Sequence, residues 1–482
     1  MPDRWSSVSD YVRSLDLDAW EVGGAVRDEL LGIPHKDTDY VVPGVGHEEL
    51  RAALAPHGKV EDLTVAGRHV GVRLRPRDRS ARALAPAGIE FAPPRVERST
   101  GPGRHDFEIV ADASIPLEED MRRRDFTVNA IAKRLETGEL LDPLGGQADL
   151  EARVLRTTSP TSFREDPLRI VRGLRFVSQL GFTPDEDTLR QMREWAPQVA
   201  IVSAERIGGG LAADGMGELS KLLLGAHPAR ALRLGRETGV LTVVLPEYEA
   251  AIGFDQGSRW HELPLDEHHF EAVQAAADAG APLAVRLALL LHDLAKPESA
   301  WVGDDGRPHY YANPALGKRS HEELGAELAD RVLGRLRYPT SLRRQVRRLV
   351  RLHMFFPPRM PDEVRARRFL AKHGDELALD LLAHKDADVR SKGTSAEEDL
   401  ERLDAFRRLV LAAREQPHRL SDLAVGGDDL IALGYRPGPA LGRTLERLLH
   451  EVVGDPSLNR REWLLAEARR LREPGGPAGG TR

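Results

Sequence analysis

The sequence predicts an α+β protein: a head built on a mixed β-sheet, then a long all-helical remainder. Three observations carry that reading. Between about residues 18 and 145, short β-branched and aromatic runs alternate with brief helical patterns. Beyond about residue 150, apolar residues recur at three- and four-residue spacing. There the punctuation also changes to helix caps and short Pro/Gly breaks. A chain of 482 residues is long enough for several domains.

Taken in order, the strand signals are Ala19–Val22, Asp39–Val42, His69–Leu74, Gly88–Phe91 and Phe107–Val110, with helical patterns at Ala25–Leu31 and Glu48–Ala55. Further breaks fall near 250–262 and 390–398, and the Gly/Pro-rich last ten residues are expected to be disordered. No internal repeat is present.

Composition narrows the chemistry. Apolar residues at 41% and charged residues at 30% suit a folded, water-soluble chain. A formal net charge of −7 argues against a polycation that coats nucleic acid, though not against a local basic face. Zero cysteines exclude disulfides, Cys-liganded zinc, iron–sulfur clusters and thiol nucleophiles, so any metal must sit on Asp, Glu or His. The N-terminal decapeptide lacks a secretory pattern, and the most apolar stretch, Leu283–Asp293, is interrupted by Arg286. A cytoplasmic protein is expected.

The most informative segment runs from Val22 to Val42. Gly23-Gly24 follows a strand and opens a helix carrying Arg27 and Asp28, an arrangement that lets backbone N–H groups approach an anion. Asp37-Thr38-Asp39 follows at the start of an apolar strand, where residues two apart share a face. Two parallel carboxylates suit a two-Mg²⁺ centre for nucleotidyl transfer, one ion activating a 3′-hydroxyl and the other holding triphosphate. An isolated Asp-x-Asp is more often a solvated strand face, so the glycine turn before it matters. Glu90, between apolar Ile89 and Phe91, alternates to the polar face as a third carboxylate or as an exposed strand residue, and Pro93-Pro94 must end that strand.

Two further clusters follow. Arg122-Arg123-Arg124-Asp125, with Asn129, reads as a phosphate and ribose clamp, although Arg-Arg-Arg alone is commonly a solvated run. Asp166 precedes Pro167 at a helix start, and Asp166, Arg169, Arg172 and Arg175 form a stripe beside apolar Leu168, Val171 and Leu174. That stripe is either an N-cap with an ion pair or a fork of planar donors and an acceptor that addresses a base edge.

Gly-Gly-x-Val-Arg-Asp…Asp-x-Asp, Arg-Arg-Asp-Phe-Thr-x-Asn-Ala, Leu-x-Asp-Pro-x-Gly-Gly (Leu141–Gly146) and Glu-Asp-Pro-Leu-Arg occur in that order. Over roughly residues 18–250 the chain thereby resembles the class II tRNA nucleotidyltransferases, the CCA-adding enzymes. The resemblance implies a template-free polymerase that uses CTP, ATP and the tRNA 3′ end, with Mg²⁺ at Asp37 and Asp39. It further implies that Gly24, Arg27 and Arg124 hold triphosphate and ribose, and that Glu90 is the third carboxylate. Asp166 and Arg169 would pair with the incoming base, with Arg172 and Arg175 nearby. Residues 95–106 resemble the flexible loop needed to switch from C to A, while Pro93-Pro94 departs from the usual pattern.

The helical half carries a second series, Asp266-Glu267-His268-His269, His292-Asp293, His321, His353 and Asp388, among seventeen histidines. His and Asp from separate helices can converge on a divalent metal. Over about 262–395 the series resembles the HD phosphohydrolase domain. That implies ligands His268, His292, Asp293 and Asp388, with His321 and His353 for a second ion, Mg²⁺ or a divalent transition metal; His268 and His269 stay interchangeable at this level. The arginine-rich Leu342–Arg351 segment is a candidate phosphate-contacting helix or a solvated face.

The expected organisation is therefore a nucleotidyltransferase head (1–150), a helical neck and body (151–255), an HD-type helical domain (256–395) and a helical tail (396–482). The expected activity is CCA addition, with metal-dependent phosphohydrolysis in the HD part and no obligatory protein partner. Alternatives are a poly(A) polymerase, disfavoured by Gly67-Arg68-His69; an enzyme adding only CC or only A; and a chain acting chiefly as an HD-type RNA-end phosphohydrolase.

Overall fold

The computed structural model describes residues 5–34, 39–65, 67–99, 107–209, 215–257, 262–304, 306–392 and 396–472. Asp37, residues 100–106 of the 95–106 loop and the last ten residues lie outside these. The described chain forms two compact units, one of residues 1–249 with 335–338, the other of residues 250–334 with 339–482.

The first unit opens on a mixed sheet. Its strands are β1 (Trp20–Val22), β2 (Asp39–Val41), β3 (Gly58–Val65), β4 (Arg68–Pro76), β5 (Ile89–Ala92), β8 (Ala132–Arg134) and β9 (Leu140–Leu141). They are ordered β3-β4-β5-β2-β1-β8-β9. Neighbours are antiparallel except for β2 and β5, which run parallel. A separate antiparallel ribbon pairs β6 (Arg95–Ser99) with β7 (Phe107–Ala111), so part of the expected loop is strand.

Alternation sorts the sheet's two faces. Tyr40, Val42, Val72, Leu74, Ile89 and Phe91 pack into one core, against Leu50 and Leu54 of the His47–Leu54 helix. Trp20, Val22 and Val41 point the other way, onto Leu117, Met121 and Ala130. Because the β-period is two, Asp39 and Glu90 share that second face. The sheet then gives way to the Leu168–Leu180 helix, whose Leu168, Val171 and Leu174 are buried. It packs on the Glu218–Leu223 and Pro228–Glu237 helices.

In the second unit, the helices Leu265–Asp278, Leu283–Leu291, Thr340–Leu352 and Asp375–Arg390 pack together. Leu283–Leu291 is apolar except for Arg286 because it is buried almost all round, and Arg286 Nε donates to the Ala281 carbonyl (2.8 Å). Thr340–Leu352 is instead amphipathic, with Val346, Leu349 and Val350 inside. Its Arg343 and Arg351 are engaged by Asp330 (3.1 Å) and Glu323 (2.6 Å), which favours the surface-face reading for those two arginines. The last helices, Pro439–Gly454 and Arg461–Arg472, close a small core around Leu448, Val452 and Leu464. No helix among the described residues is long and apolar enough to cross a membrane.

Candidate functional site

The first unit contains a cavity of about 810 Å³. Gly23 stands at its mouth with φ +76°, a conformation that disfavours any side chain, and a Cβ there would lie 2.6 Å from Arg124 Nη1. The positive φ favours glycine between β1 and the seven-residue Gly24–Leu30 helix, and any side chain there would also displace the Arg124 guanidinium. Arg27 on that helix is buried. It donates from Nε to Asp28 (2.8 Å) and from Nη1 to Asn129 Oδ1 (2.7 Å).

The carboxylates sit on the cavity floor. Asp39 is the register partner of Glu90 across the parallel β2–β5 pair and of Val22 across β1–β2. Arg73 of β4 is in turn opposite Glu90 and donates to it from Nε at 3.1 Å. One row across four strands therefore reads Arg73, Glu90, Asp39, Val22. Of the expected Asp37–Asp39 pair, Asp39 alone is among the described residues, exposed at the start of β2.

Above the floor is a connected set of arginines. Asp120, fully buried, accepts from Arg123 Nε at 2.9 Å and from Arg124 Nη2 at 3.3 Å. Arg124 Nε and Arg175 Nε are buried and lack a hydrogen-bond partner, so donor capacity is left over in a cavity wall. Asp125 takes Asn129 Nδ2 at 2.8 Å on one oxygen and Arg172 Nε at 2.8 Å on the other. Burial opposes its charge, but Arg172, Asn129 and Arg169 outweigh burial and hold the carboxyl well below its usual range.

The stripe read from sequence is a wall of the same cavity. Asp166 accepts from Leu168 N (3.1 Å) at the helix start, and its other oxygen meets Arg206 Nη2 at 3.0 Å. Arg169 donates to Ser162 Oγ (3.0 Å) and to the Arg123 carbonyl (2.7 Å). Arg175 pairs with Glu218 at 3.0 Å and covers the Phe176 ring at 4.4 Å; burial lowers its pKa to about 10. The structure thus brings together Gly23, Gly24, Arg27, Asp39, Glu90, Arg124, Asp125, Asn129, Asp166, Arg169, Arg172 and Arg175 around one space. Asp28 joins through Arg27.

A different centre is built in the second unit. Nε2 of His268 lies 3.3 Å from Nε2 of His292, and Nε2 of His321 lies 3.3 Å from Nε2 of His353. On the far side of each ring Nδ1 faces a backbone carbonyl: Ser391 (3.3 Å), Leu289 (2.9 Å), Tyr310 (3.0 Å) and Val350 (2.6 Å) respectively. A carbonyl only accepts, so Nδ1 carries the proton and all four Nε2 lone pairs face inward. Lone pair against lone pair at such distances is repulsive without a cation between them. Burial pulls the His268 pKa down and the His353 pKa to about 4, keeping both imidazoles neutral, as metal ligation requires.

Two carboxylates complete the centre. Asp293 reaches His292 with Oδ2 (3.2 Å) and His321 and His353 with Oδ1 (3.3 and 3.4 Å), and that buried Oδ1 has no hydrogen-bond partner. Asp388 lies 3.5 Å from His268 Nε2. The donors therefore form two groups, His268–His292–Asp293 and Asp293–His321–His353, joined at Asp293, and they fit a pair of divalent ions. His268 rather than His269 belongs to the first group.

Sequence reasoning missed several members. Arg73 and Arg206 line the cavity from other elements, Glu218 joins it through Arg175 and Arg172, and no local pattern marks them. His384, fully buried against His292 and His353 at ring separations of 5.2 and 5.9 Å, has no partner for either nitrogen. Its spacing four residues before Asp388 was the available signal.

Comparison with known proteins matches both halves of the chain to known domains. Residues 19–156 match the poly A polymerase head domain, 181–252 a probable RNA- and SrmB-binding site of polymerase A, and 265–393 the HD domain. The chain is 35% identical over 343 residues to the multifunctional CCA protein of Neisseria gonorrhoeae, covering 70% of this chain and 74% of that protein. It is 34% identical over 466 residues to the A-adding tRNA nucleotidyltransferase of Deinococcus radiodurans, covering 95% and 92%. Its fold is like that of the Bacillus stearothermophilus CCA-adding enzyme solved with CTP, at TM-score 0.62 and 26% identity, covering 96% of this chain and 95% of that one. The chain belongs to the family of CCA-adding tRNA nucleotidyltransferases, in the bacterial form that carries an HD domain.

Proposed function

We infer that this protein adds CCA to the 3′ end of tRNA from CTP and ATP, releasing pyrophosphate. The observation that carries the reading is the placement of Asp39 and Glu90 on the floor of the cavity whose walls hold Arg124 and the Asp166–Arg175 stripe. Acid for divalent ions, cations for triphosphate and a donor–acceptor fork for the base thus face one space. Asp37 and Asp39 would hold two Mg²⁺ ions, which would supply activation of the 3′-hydroxyl and charge neutralisation on the leaving pyrophosphate. The chain's own part is to hold and select. Arg27 and Arg124 orient the triphosphate, and Asn129 and Asp125 fix the ribose side. Asp166 and Arg169 present an acceptor and a donor to a base edge, the pattern that separates C and A from U and G. A cytoplasmic location and the four-part division at residues 150, 255 and 395 belong to the same proposal.

The test is incorporation on tRNAs ending before CCA, after C and after CC, with CTP, ATP or both. Two C's and one A followed by arrest supports the inference; an unlimited A tail or no incorporation overturns it. A second reading, addition of the terminal A alone, is favoured by the near end-to-end likeness to the A-adding relative. Incorporation solely on CC-ended tRNA would select it.

We propose in addition that the HD centre is a metal-dependent phosphohydrolase acting on RNA ends. Its support is the convergence of four inward Nε2 atoms on the shared Asp293. Bound ions supply a hydroxide and a Lewis acid at such a centre. Lys296, buried with Nζ 2.6 Å from Asp293, sets a cation where a phosphate oxygen would lie.

A further inference from the structure

The segment after the ligand His353 exposes apolar side chains beside a buried charged centre. Phe356 is 66% exposed, and Met354 and Met360 are 44% and 80% exposed. Three exposed apolar side chains within seven positions exceed the single ones usual on a surface, and the Phe356 ring has a fixed neighbour. The Lys385 ammonium lies over it, 4.8 Å from the ring centroid. The prolines at 357, 358 and 361 restrict the backbone that carries it. Lys385 is itself buried, and its Nζ is 2.9 Å from Asp388 Oδ2. The aromatic ring is thus tied through one ammonium to Asp388, a carboxylate of the HD centre.

A fixed ring with one face backed by a cation and the rest open to solvent is what base stacking uses. Ammoniums at Lys296 and Lys385 flank the carboxylates where a phosphoester would meet the metal-binding groups. We propose that Phe356 is the base platform of a nucleotide subsite at the HD centre. A nucleoside phosphate lies with its base on Phe356 and its phosphate toward Asp293 and Asp388. The proposal rests on the reading of that centre as a phosphohydrolase. It adds the residue that makes the centre prefer nucleotides over other phosphoesters. The shared chemistry, a base with a phosphate one sugar away, is offered both by free mononucleotides and by the terminal residue of an RNA.

The test uses the full chain with Mn²⁺ and two photoreactive probes, 5-bromouridine monophosphate and a short RNA ending in 5-bromouridine. Irradiation should place an adduct within residues 354–361, suppressed by excess inorganic phosphate. F356A should raise the half-saturating probe concentration about tenfold, and F356W should restore it. The probe that saturates at the lower concentration identifies the natural source. An adduct found only in the head, or one in 354–361 that survives F356A unchanged, overturns the platform. Hydrolysis of 4-nitrophenyl phosphate, and its loss in D293A, reads the underlying centre separately. An adduct without hydrolysis keeps the platform and removes the phosphohydrolase, while hydrolysis without an adduct does the reverse.

Discussion

Arg172 grips Asp125 with two nitrogens, Nε at 2.8 Å and Nη2 at 2.7 Å, both on Oδ2. This pair joins the motif just before β8 to the helix that carries the base-reading stripe. Asp125→Asn would leave Arg172 with only the more distant Glu218 as counter-charge, and a loss of about 2 kcal/mol is expected for a hydrogen-bonded charged partner. Because the native carboxyl is held below its ordinary value of 3.8, its contribution is present above that pH and lost as pH falls below it. Urea unfolding of the two proteins should therefore differ by a constant amount from pH 8 to 5, and the difference should start to narrow below about pH 4 and keep narrowing toward the far lower native pKa. A difference that grows on acidification would contradict this.

Glu218 stands 3.0 Å from Arg175 and 3.8 Å from Arg172. Glu218→Gln removes the charge that aligns both guanidiniums while keeping the shape. A fall of about tenfold in kcat/KM for CTP and ATP is expected, with more misincorporation of UTP and GTP, measured on tRNA primers. Unchanged selectivity would assign Glu218 a packing role only.

Gly23→Ala puts a methyl group into a φ of +76° and against Arg124. A stability loss of about 1–3 kcal/mol is expected from the backbone alone. A raised KM for both nucleotides should accompany it, because Arg124 must move. Thermal unfolding and steady-state kinetics would read the two effects separately.

Asp39→Ala should lower nucleotide incorporation by at least about a hundredfold while phosphoester hydrolysis continues, and Asp293→Ala should do the opposite. Chelation by EDTA should stop both reactions. If Asp39→Ala incorporated nucleotides normally, the proposed head metal centre would be wrong.

β5 was legible because Ile89-Glu90-Phe91 alternates as its packing does, and β2 because Tyr40-Val41-Val42 is a short apolar run, Tyr40 and Val42 burying on one face and Val41 on the other. β3 was not legible. It is the sheet's edge strand, with Lys59 paired to Glu61 at the surface and a register shift at Leu63/Thr64, so its apolar positions do not stand out. Among site residues, those carried in local motifs could be read, since strand or helix spacing fixes which side chains share a face. Arg73, Arg206 and Glu218 act through partners 17, 40 and more than 40 residues away, a separation that spacing does not encode. Adjacent His268 and His269 point in different directions on their helix, and the carboxylate that separates them, Asp388, lies 120 positions further on.

Asp120 has one more consequence, an entropic one. A free arginine side chain surrenders roughly 2 kcal/mol of rotamer entropy when it is immobilised. By holding Arg123 and Arg124 on one fully buried carboxylate, the chain gives up that freedom for two guanidiniums as it folds. A triphosphate arriving at the cavity meets side chains that have already stopped moving, so little ordering remains to oppose its binding. The head's own stability carries the loss instead, and a weakened Asp120 would show as a steeper entropic penalty in nucleotide calorimetry.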